Sequence, residues 1–327
     1  MSGTAPTRAG FAAILGAPNA GKSTLVNALV GSKIAIVTHK VQTTRAQLRA
    51  VAIAGPAQVV IVDTPGIFAP RRRLDEAMVA AAWSGAEDAD ARVLLVDAHD
   101  YPAEGPPRSK GAEDTDRILE GLAERGLGAI LVLNKIDLLP RARLLALAAR
   151  LNERIAFDRT LMISALSGDG VDDLRACLAE AMPEGPWLYP EDQLADVTER
   201  LLAAEITRER LILRLHDELP YASTVITDRF AELADGSVRI EQAILVERDS
   251  QRPIVIGKGG QTIKEIGSSA RAELEQVLER RVHLFLDVRV KPKWSEDPEH
   301  FREIGLEKPA TPHKGAPRRR GSGKGRR

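Results

Sequence analysis

The 327-residue chain has a single cysteine, few aromatics and no long apolar run, and each scarcity removes a class of function. With Cys177 alone, no disulfide can close within the chain and no cysteine-rich zinc site can be built. Cys177 falls in the helical apolar pattern Leu174–Met182, where it is expected to pack as a small hydrophobe. Aromatic residues are 4% of the sequence, so stacking of bases on aromatic platforms is not an evident mode of recognition. No window reaches the roughly 18 consecutive apolar residues of a spanning helix. Met1–Gly10 lacks the apolar core of a secretory signal, and a cytoplasmic protein is expected. His216 and His283 have no partner at metal-ligand spacing.

Charge of both signs is plentiful but unevenly placed. The formal net charge is zero, yet Lys314–Arg327 holds seven Lys and Arg and no acid, which leaves the preceding residues at −7. A short tail rich in Gly, Ser and Pro cannot bury a core; it is expected to be disordered and to meet a polyanion, RNA in preference to anionic lipid. The remaining length and ordinary apolar content suit two modest domains.

Between the apolar run Phe11–Leu15 and the helical run Thr24–Leu29 lies Gly16-Ala17-Pro18-Asn19-Ala20-Gly21-Lys22-Ser23. A strand that ends in a glycine-rich turn and feeds a helix leaves several backbone N–H groups converging on phosphate. Gly16 and Gly21 permit close approach, Lys22 reaches the β- and γ-phosphates, and the Ser23 hydroxyl is placed for Mg²⁺. Thr24 completes the nucleotide-binding set in this stretch.

Downstream, the polar stretch Ser32–Arg45 ends in Gln42-Thr43-Thr44-Arg45 and reads as a first switch loop. Either Thr43 or Thr44 can complete the Mg²⁺ shell when a γ-phosphate is bound. Strand Gln58–Val62 delivers Asp63-Thr64-Pro65-Gly66, a second switch. Asp63 would hold Mg²⁺ through a water, Pro65 stiffens the turn, and the Gly66 N–H lies where the γ-phosphate is expected. The loop His99–Gly111 carries no assigned chemistry.

Strand Gly128–Leu133 runs into Asn134-Lys135-Ile136-Asp137, which selects guanine. The Asp137 carboxylate accepts from both N1–H and the exocyclic amine of guanine, whereas adenine offers an acceptor at N1 and no 2-amino group. Asn134 braces the loop and reaches the N7 side, and the Lys135 stem can lie along the base. After a last short strand, Thr160–Ile163, a backbone N–H of Ser164-Ala165-Leu166 can meet guanine O6. Strands alternating with helices give a doubly wound α/β sheet with its loops gathered at the strands' carboxyl ends.

These four motifs, in this order, make the first half resemble the translation-factor-related GTPases, most closely their Era-like branch. Ras-like enzymes follow the second-switch glycine with a water-orienting glutamine, but here Ile67 stands in that place. The resemblance implies that hydrolysis draws instead on K⁺ held partly by Asn19, while Lys22, by its place in the loop, is expected to stabilise charge on the transferring phosphoryl group. Leu166 stands where many relatives have lysine.

Pro183–Pro190 and Glu191–Ala195 read as a linker, after which a new pattern begins. An amphipathic helix over Val197–Leu215 is followed by strands at Thr224–Leu233 and Val238–Val246. Then Gly257-Lys258-Gly259-Gly260 opens a helix with Ile263, Ile266, Ala270, Leu274, Val277 and Leu278 on one face, and the alternating strand Val282–Val290 ends in Lys291-Pro292-Lys293-Trp294. Glycines at the first and fourth positions let such a loop clamp a nucleic-acid backbone, while Lys258, the helix N-terminus, Lys264, Lys291 and Lys293 supply positive charge. This order resembles a type II KH domain.

The expected fold is therefore α/β, a P-loop GTPase sheet followed by a smaller α+β KH domain. The expected limits are residues 1–9 as a flexible N-terminus, 10–183 as the GTPase domain, 184–196 as linker, 197–295 as the KH domain and 296–327 as basic tail. Slow GTP hydrolysis is expected because no side chain here qualifies as a general base, the nucleotide being GTP/GDP with Mg²⁺ and, as the Era-like resemblance implies, K⁺; a monomer is expected, although no residue pattern speaks to oligomeric state. The resemblance also implies binding to the 3′ end of small-subunit ribosomal RNA and a role in maturation of the small ribosomal subunit. Two other readings are an RNA-binding scaffold with a structural nucleotide, and a GTP switch held at the inner face of the cell membrane by the basic tail. Thr43, Thr44 and Asp63 argue against the scaffold, because a passive nucleotide needs no γ-phosphate sensors.

Overall fold

The structure is a computed structural model and describes residues 6–38, 48–70, 73–191, 193, 195, 198–216 and 219–297. Its first half runs β1 (Arg8–Leu15), α1 (Lys22–Val30), β2 (Leu48–Ala54), β3 (Ala57–Asp63), α2 (Arg73–Asp88), β4 (Ala91–Asp97), α3 (Lys110–Arg125), β5 (Ile130–Asn134), α4 (Arg141–Arg154), β6 (Arg159–Met162) and α5 (Val171–Ala181). The six strands form one sheet in the order β2-β3-β1-β4-β5-β6, with β2 antiparallel to β3 and the other pairs parallel.

The central strands read as unbroken apolar runs because both of their faces are covered. Val93, Leu95, Ile130 and Val132 face α1 and α5, whereas Leu94, Val96, Leu131 and Leu133 face α2, α3 and α4. Cys177 is buried in the first of these layers, as its apolar context suggests, and burial pushes its thiol up.

The second half runs α6 (Glu199–Arg214), β7 (Ser223–Glu232), β8 (Val238–Val246), α7 (Arg252–Ile256), α8 (Gln261–Leu278) and β9 (Val282–Val290). Strand β8 lies between β7, antiparallel to it, and β9, parallel to it. A parallel return requires a crossover, and α7 with α8 provides it. Helix α7, with Pro253 in its first turn, is only five residues long, too few to show a period in the sequence. One face of the sheet packs on α6, α7 and α8 through Leu211, Val225, Ile244, Val255, Ile266 and Val288.

The other face of that sheet is the floor of the first half. Ala243 and Leu245 of β8, together with Trp294, share a core with Leu74, Ala77 and Met78 of α2, with Phe68 just before it, and with Ala35. Helix α6 is consequently enclosed on nearly every side, which accounts for its buried Glu205, Thr207, Arg208 and Glu209. Arg208 and Glu205 neutralise each other one turn apart, with Arg208 Nε donating to Glu205 Oε1 at 2.8 Å. Glu209 is answered from the other half of the chain: Lys33 Nζ donates to its Oε2 and the Val37 N–H to its Oε1, each at 2.7 Å.

The segment read as a linker is strapped to the first sheet. Gln58 Oε1 accepts from the N–H groups of Leu188 and Tyr189 (2.8 and 2.9 Å), and Trp187 Nε1 donates to the Pro56 carbonyl at 3.0 Å.

Trp294 is fully buried and its indole N–H donates to the Ala222 carbonyl at 3.1 Å. Trp294→Ala should therefore cost about 3–5 kcal/mol by emptying the interface core. Trp294→Phe should cost less, chiefly for the orphaned carbonyl, about 1–3 kcal/mol. Urea unfolding followed by circular dichroism measures both, and unchanged midpoints would contradict this placement.

Candidate functional site

The turn between β1 and α1 is held from within by its own lysine. Lys22 Nζ donates to the carbonyls of Gly16 and Ala17 at 3.0 and 2.9 Å. Burial holds this ammonium down to about 8 against the opposing pull of Asp63. Ser23 Oγ donates to Asp63 Oδ2 at 3.4 Å, so a hydroxyl and a carboxylate meet as hard oxygen donors of the kind Mg²⁺ takes. Thr64 is turned away, its hydroxyl donating to the Ile14 carbonyl at 2.6 Å to fix the strand end.

Gly66 lies so close to the loop that a Cβ there would stand 3.1 Å from Pro18 N and 3.2 Å from Lys22 Nζ. Ile67 continues the clamp, its N–H donating to the Gly16 carbonyl at 3.3 Å, and its side chain is buried beneath the loop with Leu15 and Leu94. The residue that replaces a water-orienting glutamine thus belongs to the core. Phe68 lines the cleft and joins the interface core as well.

The resulting cleft of about 680 Å³ is lined by Pro18, Asn19, Gly21, Lys22, Ser23 and Thr24, by Ile36, Val37 and Thr38, and by Gly66, Phe68, Lys135 and Leu166. Sequence-distant motifs converge on it. Asn134 Nδ2 donates to the Ala20 carbonyl at 2.8 Å while its Oδ1 accepts from the Ala165 N–H at 3.0 Å, tying the phosphate loop to both base-side loops. The Ala165 N–H is therefore engaged within the protein. Asp137 is exposed in the 3-10 turn Ile136–Leu138, and Ser164 is buried behind Leu166. Thr43 and Thr44 lie outside the described residues.

The sequence reading missed residues that carry the cleft to its surroundings. Asn27, one turn from the end of α1, accepts from the N–H groups of Ile34 and Ala35 and donates to the Ala35 carbonyl, each at 2.8 Å. Asp114 of α3, raised by burial, accepts from the Ala69 N–H beyond the second switch. The loop 99–111 also acquires a place: with Pro18, Asn19 and Phe68 it lines an adjoining cavity of about 410 Å³. It is pinned by the buried ring of Tyr101, whose hydroxyl bonds Asp116 and is pushed up to about 12 by burial and that bond.

In the second half, Gly257 takes φ 76°, where a side chain would collide with Thr262, and Lys258 and Lys264 are exposed beside it. Lys291 is paired with Asp297 at 2.5 Å. Lys293 lines a separate cleft with Arg73 and Arg248, toward α2.

Against known proteins, a family model described as 50S ribosome-binding GTPase matches residues 11–135, and a KH domain model matches residues 218–295. The chain is 58% identical over 309 residues to GTPase Era of Rhizobium meliloti (strain 1021), covering 94% of this chain and 96% of that one. It is 60% identical over 304 residues to GTPase Era of Afipia carboxidovorans, covering 93% and 96%. Among solved structures, Era in complex with MgGDPNP and nucleotides 1506–1542 of 16S ribosomal RNA superposes with a TM-score of 0.82 at 36% identity, covering 91% of this chain and 99% of that one. A variant of Aquifex aeolicus Era bound to GDP.AlF4⁻ gives the same values.

The depressed Lys22 sets a pH dependence whose sign is fixed. A phosphate ligand needs the ammonium, so above about pH 8 binding must first take up a proton. GDP affinity should fall roughly fourfold between about pH 7 and pH 8.5, with proton uptake visible in calorimetry across buffers of different ionisation enthalpy. Lys22→Met should abolish the slope, and a pH-independent affinity in the unmodified protein would refute the assignment.

Proposed function

Because the chain belongs to the Era family of GTPases, we propose that its hydrolysis of GTP drives a switch that binds the 3′ end of small-subunit ribosomal RNA and assists maturation of the small ribosomal subunit. One observation carries the switch. Ile36, Val37 and Phe68 border the nucleotide cleft, and the KH half rests on Phe68, on the Val37 N–H and on the neighbouring Ala35 as well as on α2. Any ligand that reshapes them alters how the RNA-binding half is held.

GTP is expected to draw residues 38–45 and 63–73 onto its γ-phosphate, and hydrolysis releases them. Lys22 and the loop amides stabilise charge on the transferring phosphoryl group. Ser23 and Asp63 are the described residues that would hold Mg²⁺, which neutralises phosphate charge when bound. Asn19 is the candidate for holding K⁺, in place of the side-chain water ligand that Ile67 cannot be. Equal hydrolysis rates in K⁺ and Na⁺ would remove that assignment.

The RNA reading draws on the exposed Lys258 and Lys264 at the Gly-x-x-Gly turn and on the 16S complex of the related Era. The tail 314–327 would add affinity without sequence preference. The test is RNA binding at fixed salt with a GTP analogue, GDP or no nucleotide, using the 3′ end of small-subunit ribosomal RNA and a scrambled control. Selective binding that differs about tenfold between nucleotide states is expected, and Lys33→Met should narrow that difference to within about threefold. Selective binding indifferent to nucleotide would favour an RNA-binding scaffold, and equal binding to both RNAs would overturn the ribosomal reading.

A further inference from the structure

Asp97 belongs to none of the four nucleotide motifs, yet it stands at their junction. It is the last residue of β4 and lies opposite Asn134 in the ladder between β4 and β5. Its Oδ2 accepts from Lys135 Nζ at 2.5 Å, while its Oδ1 accepts from the N–H groups of His99 and Asp100 at 3.0 and 3.2 Å. The same Lys135 ammonium donates to the Asn19 carbonyl in the phosphate loop at 3.0 Å.

The two residues joined by that last bond share an unusual backbone. Asn19 and Lys135 both have φ of 65°, the left-handed region that side-chain-bearing residues rarely adopt. Each is thus held in a disfavoured conformation, and the ammonium spanning them is one of the groups that holds them. An ammonium has three donors and a flexible four-carbon stem, so a single carbonyl does not fix its position. A carboxylate at its side does, through a charge-assisted bond roughly twice as strong as a neutral one.

We propose that Asp97 is a positioning residue for nucleotide binding: it acts through Lys135 to hold the Asn19 turn of the phosphate loop and the base-side loop in register. The inference rests on the cleft being the GTP site. Failure of the unmodified protein to bind GDP would strike that reading, whereas normal binding that is indifferent to Asp97 strikes this one.

Asp97→Asn separates the two roles of the carboxylate. The amide keeps an acceptor for the turn at His99 and Asp100, but its NH₂ cannot accept from Lys135. GDP dissociation, followed with a fluorescent analogue, should quicken about tenfold. In the Lys135→Met background the same substitution should change the rate by less than about twofold, because the bond through which it acts is already gone. A tenfold effect in both backgrounds would mean that Asp97 serves the turn alone, and no effect in either would mean that Lys135 needs no partner; each outcome overturns the proposal. Should Asp97→Asn fail to fold, Asp97→Glu displaces the charge by one methylene and should quicken release by a smaller factor, again only when Lys135 is present.

Discussion

The Glu209 carboxylate, whose side chain is 3% exposed in the middle of α6, is the contact on which the arrangement of the two halves depends. A charge so enclosed must be answered by donors, and both of its cross-domain donors, Lys33 and the Val37 N–H, belong to the segment that leaves α1 for the first switch. That segment can move only by carrying α6 with it or by leaving the carboxylate without them. Arg210, with Nη2 3.5 Å from Glu209 Oε2, would offset part of that loss, which then lies between the ~0–1 kcal/mol of a surface ion pair and the roughly 3–5 kcal/mol of a buried charge stripped of every partner. The interface therefore favours discrete positions over a soft hinge.

The nucleotide site shows the same tension at closer range. The Lys22 ammonium bonds two carbonyls of its own loop, and burial holds it below its ordinary range. Phosphate relieves that burial cost, and α1 transmits any resulting shift. The helix begins with Lys22 and Ser23, and one turn before its end Asn27 grips residues 34 and 35. Nine residues make a rod about 13 Å long. Loss or gain of a phosphate at one end is thereby mechanically linked to the segment that Glu209 holds at the other.

Much of the fold was legible because burial on both faces writes a strand as an apolar run and the turns that follow carry the chemistry. What escaped had physical causes. Half of the residues that α2 buries are alanines, Ala77, Ala82 and Ala86, which contrast little with their neighbours, and in α4 the stripe Leu144, Leu147 and Leu151 is blurred by the exposed Leu145. The interface left no sequence mark at all: Lys33, Glu209 and Glu273 look like solvated charges until a second surface encloses them. The motif residues could be named individually, but that Asn134 bonds both the phosphate loop and Ala165, or that Thr64 faces the strand, requires coordinates.

Lys33 also bonds Glu273, and this extends the chain of contacts to the helix behind the Gly-x-x-Gly turn. Burial pushes the Glu273 carboxyl up, but bonds from Lys33 and Arg210 outweigh it and hold the group below its usual range, so it remains a charged anchor at neutral pH. Glu273 lies on α8, which opens at the Gly-x-x-Gly turn about 18 Å away along the helix. One cation therefore grips a helix that opens at the Gly-x-x-Gly turn while its own segment borders the nucleotide cleft. For the proposed switch this places both ligands on one bistable contact, and thermodynamic linkage then makes the traffic reciprocal: whatever factor the nucleotide imposes on RNA affinity, RNA must return on the nucleotide. In the proposed switch, RNA that favours one arrangement of Lys33, Glu209 and Glu273 would also shift the balance between GTP-bound and GDP-bound protein.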